Sequence, residues 1–122
     1  MKISNLSAQS GLSIDTLRFY EKIGLIDPPP RDGAGHRDYP PEAPNWIRFL
    51  SQLNATGMKQ ADRIRYARLR AAGVTTVPQR RQMLEEHREV IRAQLEQLTD
   101  VLALMDRKVE IYQKLEEEMT DV

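Results

Sequence analysis

Asp15, Arg18 and Lys22 stand three and four residues apart, the spacing that brings side chains to one face of a helix. Thr16 and Tyr20 add a hydroxyl each beside that row. Facing a nucleic acid, an arginine so placed pairs through two N–H groups with a guanine edge or clamps a phosphate. The two hydroxyls would then donate to backbone oxygens. A plain amphipathic helix with a solvated charged face has the same pattern, and these residues alone leave both readings open. Further on, Arg31 and Arg37 flank Gly33 and Gly35, with His36 between. Two guanidinium groups on one tight reversal could straddle a phosphate ridge or enter a minor groove, or they could be two exposed loop arginines.

Other chemistries find little to work with. The chain has no cysteine, which excludes disulfides, thiolate metal sites and thiol-based redox sensing. Its two histidines, His36 and His87, fall in different regions, so no metal site is expected and no cofactor is implied. No Ser/His/Asp set, phosphate-cradling glycine loop or spaced carboxylate pair stands out, and no enzyme is expected. His87 reads as a polar position on a packing face, with a pH- or ligand-sensing role as the alternative. The first fifteen residues do not resemble a signal peptide and no apolar run approaches membrane-spanning length, so a cytoplasmic protein is expected.

The elements that must position these residues follow from the punctuation. Two short helices are expected, from Ser4 to about Gln9 and from Ser13 to about Ile23, each with a serine at the N-cap. Between them Gly11 supplies the left-handed residue of a sharp turn, giving a helix-turn-helix. On the second helix Ile14, Leu17, Tyr20 and Ile23 turn inward, with Phe19 also assigned to the packing side and the Tyr20 hydroxyl to the DNA backbone. Residues 27–41 hold five prolines and two glycines, which rules out a helix and predicts a short β-hairpin or wing. A third helix starts near Glu42 or Ala43, because Pro44 is tolerated only in a first turn, and it ends at Thr56-Gly57. A fourth, from about Lys59 to Ala71, carries Arg63, Arg65, Arg68 and Arg70, which suit phosphate contacts and a solvated surface equally.

After VTTVP at 74–78, a helical pattern runs from about Pro78 to Met119 with no glycine or further proline. Leu84, Ile91, Leu98, Met105, Tyr112 and Met119 recur every seven residues along it, with further apolar registers alongside. A helix of that length, roughly 63 Å at 1.5 Å per residue, outruns the rest of so small a chain and calls for a partner helix, most simply a second copy. Charge divides at the same place. Residues 1–80 hold twelve basic and seven acidic side chains, a net of +5, and residues 81–122 hold six and eleven, a net of −5. The formal net charge of zero therefore conceals a basic part suited to nucleic acid and an acidic part with another task.

These residues carry a family resemblance. The opening I-x-x-L-x-x-x-x-G-L-S from Ile3, the run DTLRFYEKIGLI from Asp15, and R-x-x-x-G-x-R-x-Y from Arg31 to Tyr39 resemble the N-terminus of MerR-family winged-helix transcription regulators. The likeness continues through WIRFLSQLNATGM and the long helix. It implies a mainly all-α fold, with a winged helix-turn-helix DNA-binding domain at 1–76 and an antiparallel coiled-coil dimerisation helix at 77–122. It implies DNA contacts from Ser13, Asp15, Thr16, Arg18 and Tyr20 on the recognition helix, and from Arg31, His36, Arg37 and Tyr39 in the wing. Leu84, Ile91, Leu98, Met105 and Tyr112 would join a homodimer. Such a dimer would bind an inverted repeat in double-stranded promoter DNA, distort it, and so act on RNA polymerase indirectly, under a small-molecule effector that the sequence does not name. The alternative is an adaptor dimer of the same fold without DNA binding. The chain departs from the family pattern at His36, Gln60 and Arg63. It lacks the cysteines of the metal- and thiol-sensing branches, with Gln52 where the aldehyde-sensing branch often has one, and it contains no counterpart of the large drug-binding domain of the multidrug sensors.

Overall fold

A computed structural model describes residues 1–120, in the order α1 (Ile3–Ser10), α2 (Ile14–Ile23), α3 (Ala43–Ala55), α4 (Gln60–Ala71), a 3-10 turn (Val74–Thr76) and α5 (Val77–Thr120). The last two residues of the predicted dimerisation segment, 121 and 122, lie outside the described residues. The chain divides into two compact units, Met1–Glu85 and a second that begins at Glu86.

The helix-turn-helix forms where local chemistry demands it. α1 ends at Gly11, whose φ of 76° is the left-handed conformation a side chain resists. Ser13 caps α2: its Oγ accepts the Thr16 N–H at 3.1 Å. α1 has no such cap. It begins at Ile3 with extended Lys2 before it, so Ser4 lies inside the helix and is not the expected N-cap. Starting there places Ile3 against the core, which outweighs a cap of about 1 kcal/mol.

That core is small and shared by every element around the turn: Leu6 of α1, Leu17 of α2, Ile26 and Tyr39 at the two roots of the wing, and Ala43 and Ile47 of α3. Leu6 and Leu17 are wholly buried. Ile14, Tyr20 and Ile23 are half-buried beside Leu17, as the inward stripe requires. Phe19 is 49% exposed, which corrects its assignment to the packing side. Position 19 falls two residues from Leu17, about 200° around the helix, so the Tyr20 ring packs on the core instead.

The expected wing hairpin shrinks to a single antiparallel bridge between Arg31 and Arg37. Asp32 closes the reversal by accepting the Ala34 and His36 N–H groups at 2.9 and 3.0 Å. Prolines at 28–30 and 40–41 have no N–H to donate, so the ladder cannot lengthen toward the root of the wing. α3 starts at Ala43 with Pro44 in its first turn, as expected, and buries Ile47, Leu50 and Leu53. α4 departs from a plain amphipathic pattern by burying Arg63, whose Nη1 donates to the Met58 carbonyl at 3.3 Å.

In the second unit α5 continues as one unbroken helix, and its 44 residues span about 66 Å end to end. Ile91, Leu98, Met105 and Tyr112 are all exposed, between 39% and 66%, while Leu84, which belongs to the first unit, is half-buried. No helix of the described residues is long and apolar enough to cross a membrane.

Candidate nucleic-acid interface

The fold gathers four cations from three elements into one hollow of about 250 Å³. Lys2 stands at the start of α1, Arg18 on α2, and Arg31 and Arg37 on the wing, with Ile3, Ser4 and His36 completing the lining. α1 begins beside this hollow without a side-chain cap, and helix starts favour anions. An anion the size of a phosphate entering here would meet positive charge from three directions.

Each of the three arginines is already steered. The Arg31 Nη1 donates to the Gly35 carbonyl at 2.7 Å, across its own turn. Arg18 stands 4.0 Å from Asp15 on the exposed face of α2, a weak pair in solvent. Arg37 is held more firmly: its Nε donates to Glu21 Oε2 at 3.1 Å, and the Glu21 carboxylate is only 10% exposed. The other oxygen of Glu21 accepts the Tyr39 hydroxyl. One carboxylate on α2 thus ties down both ends of an R-x-Y segment in the wing.

Tyr39, expected among the DNA contacts, has a ring that is 2% exposed and a hydroxyl bonded to Glu21, which places it behind the basic hollow. Burial, then the bond to Glu21, pushes its phenol far above the ordinary value, and it stays a donor at any physiological pH. The remaining expected residues reach the surface. Ser13, Asp15 and Arg18 are exposed and Thr16 half-exposed, with the Ser13 hydroxyl donating to Thr16 Oγ1 at 2.9 Å. His36 is exposed, its Nδ1 3.9 Å from Asp32. The His36 amide holds the Asp32 carboxyl below its usual value, which keeps the turn closed.

Sequence reasoning missed Lys2 and Glu21. Lys2 carries no local signal, since only the packing of α1 brings it beside the wing. Glu21 had one: Arg37 and Tyr39, two apart in extended chain, point the same way and call for a shared acceptor. The arginines of α4 separate. Arg63 is buried, Arg65 and Arg68 are exposed, and Arg70 lies 4.1 Å from the centre of the Trp46 ring.

Comparison with known proteins gives consistent results. Residues 2–39 match the profile of the MerR family regulatory protein. The HTH-type transcriptional regulator AdhR of Bacillus subtilis is 37% identical over 89 residues, which cover 73% of this chain and 64% of AdhR, a little under two thirds. An HTH-type transcriptional regulator of Haemophilus influenzae, itself uncharacterized, is 34% identical over 104 residues, 85% of this chain and 77% of that one. Among solved structures, a MerR family regulator from Listeria monocytogenes superposes with a TM-score of 0.87 at 31% identity, covering 99% of this chain and 95% of that chain. HiNmlR, a MerR family regulator lacking the sensor domain and bound to promoter DNA, superposes with a TM-score of 0.80, also at 31% identity, over 93% of this chain and 90% of its own.

Proposed function

The chain belongs to the MerR family and is a helix-turn-helix transcription regulator, and from that premise we propose how it engages DNA. The basic hollow formed by Lys2, Arg18, Arg31 and Arg37 is the observation that carries the proposal. It seats a backbone phosphate, and that fixes α2 in the major groove with Asp15, Thr16 and Arg18 at the base edges and the wing alongside. Residues 1–76 bind DNA. Residues 77–122 pair with a second copy through Leu84, Ile91, Leu98, Met105 and Tyr112, forming an antiparallel coiled coil. Exposed aliphatic side chains repeating every seven residues on a helix of this length support that pairing, because water is a poor partner for them.

Two DNA-binding units related by a two-fold axis match an inverted repeat, and the dimer distorts the promoter between the half-sites to control initiation by RNA polymerase. The protein acts in the cytoplasm, beside the chromosome. Selection from a random duplex pool by the purified protein tests this. The selected sites are expected to be palindromic. With one phosphate seated in the hollow of each protomer, the dimer neutralises two there, and log Kd should rise with log salt at a slope of at least about 2, from roughly 0.9 per phosphate. Selection of no common site, or binding that ignores salt, overturns the proposal.

A further inference from the structure

A second cavity lies at the root of the wing, of about 260 Å³, a little under the ~300 Å³ at which drug-sized pockets begin. Its walls are the segment entering the wing, Ile26–Pro30, the segment leaving it, Tyr39 and Pro40, and the start of α3 with Trp46. Proline, indole and isoleucine surfaces make most of the lining apolar. Three charged side chains reach it: Asp27, Glu42 and Arg70.

The polar groups decide what such a pocket accepts. Arg70 brings a positive charge to the wall, its guanidinium 4.1 Å from the centre of the Trp46 ring. The start of α3, which would ordinarily attract an anion, offers no donor: Ala43 N–H is bonded to Pro40 O at 3.1 Å, Pro44 has no N–H, and the Asn45 and Trp46 N–H groups are bonded to Glu42 O at 3.1 and 3.2 Å. The Trp46 indole N–H is bonded to Leu25 O at 2.9 Å. Against that one cation stand the two exposed carboxylates of Asp27 and Glu42, which leave the lining with a net negative charge. Net charge and the apolar walls together favour a cation with an apolar body.

We propose that the wing root binds a small organic ammonium ion with a ring-shaped apolar body, the ring against Trp46 and the prolines and the ammonium at Asp27 and Glu42. Occupancy is linked to DNA binding, because the cavity touches both segments that carry the Arg31–Arg37 bridge, and a group wedged between them moves those arginines relative to α2. Only this linkage rests on the function proposed above; the binding itself does not.

Trp46 is the sole tryptophan, so its fluorescence reports on the pocket without DNA present. Titration of the full chain with 2-phenylethylamine should give a saturable change in Trp46 emission with Kd below about 10 mM. Phenylacetate, with the same ring and the opposite charge, should give none. The double variant Asp27→Asn, Glu42→Gln should weaken the amine at least about tenfold, with its circular dichroism and thermal midpoint unchanged. No saturable change, equal binding of phenylacetate, or full affinity in the folded double variant overturns the site. With the selected duplex, saturating amine should shift the DNA Kd at least about threefold, and the double variant should lose the shift. Amine binding with an unaltered DNA Kd overturns the linkage. A protein that binds amine but no DNA would refute the function above and leave the site standing.

Discussion

The bond from Tyr39 to Glu21 and the ion pair from Arg37 to Glu21 tie α2 to the returning arm of the wing, and a double-mutant cycle can weigh them. Tyr39→Phe removes a buried hydroxyl whose partner is a carboxylate and leaves that partner its bond to Arg37. A hydrogen bond to a charged group contributes about 1.5–3 kcal/mol, so a destabilisation near 2 kcal/mol is expected. Glu21→Gln keeps the shape and removes the charge. The Arg37 side chain is 33% exposed, so solvent screens the pair and its share is held to about 1 kcal/mol. Weakening the Tyr39 bond to a neutral acceptor adds about another. The double variant should cost about 1 kcal/mol less than the two singles summed, because the second change acts on a bond that the first has already removed. Urea denaturation followed by circular dichroism reads all three, with unchanged m values showing that the native state is comparable. Additivity to within about 0.5 kcal/mol would refute the reasoning, since the two residues would then hold the wing independently.

Lys2→Ala, Arg18→Ala and Arg37→Ala should each weaken binding to the selected duplex and lower the salt slope by about 1 for each phosphate that a protomer no longer neutralises, measured by anisotropy between low and moderate salt; an unchanged slope removes that residue from the phosphate site. Leu98→Asp should convert the proposed dimer to monomer in sedimentation equilibrium and abolish tight palindrome binding, since it sets a charge on the exposed heptad row. Tyr39 has a raised folded pKa, so its stabilisation is complete below about pH 10 and is lost as pH climbs, because the unfolded chain releases a proton that the folded chain keeps. Tyr39→Phe should flatten that alkaline limb, and an equally steep limb in the variant would show that other groups cause it. Leu17→Ala should cost about 2–5 kcal/mol of stability in urea denaturation, the usual range for a wholly buried leucine.

The parts of this fold that were legible in the sequence are those decided within a few residues. Ser13 and Gly24 bound α2 because a cap and a left-handed terminator act on neighbouring amides. Pro44 fixes the start of α3 for the same reason. Where a distant contact wins, reading along the chain fails. Ser4 loses the cap of α1 because Ile3 packs on residues far away in sequence, and Phe19 leaves the packing side to Tyr20 because neither the stripe nor the residue type says how wide an arc the core covers. Arg63 has a helical-surface signature and is buried all the same, since a carbonyl five residues back, Met58 O, receives its guanidinium. The site divides likewise. Arg18, Arg31 and Arg37 could be named from spacing, whereas Lys2 and Glu21 join them only through packing.

Glu21 sets a negative charge beside the surface that must attract phosphate, which on charge alone would weaken DNA binding. Its position makes sense once the conformational cost of binding is considered. An arginine side chain carries about 2 kcal/mol of rotamer entropy, and ordering several at an interface subtracts that from affinity. Here Arg37 is ordered by Glu21, Arg31 by the Gly35 carbonyl, and Arg18 is drawn toward Asp15 before any DNA arrives. The same carboxylate fixes the wing relative to α2 through Tyr39, so the proposed phosphate site and the proposed base-reading face keep one spacing. Phosphate contacts carry little sequence information themselves and act by setting register. In the proposed docking, a rigid offset between the wing and α2 lets the phosphate contact set which base edges α2 meets, and that geometric gain outweighs a partly screened unit of charge.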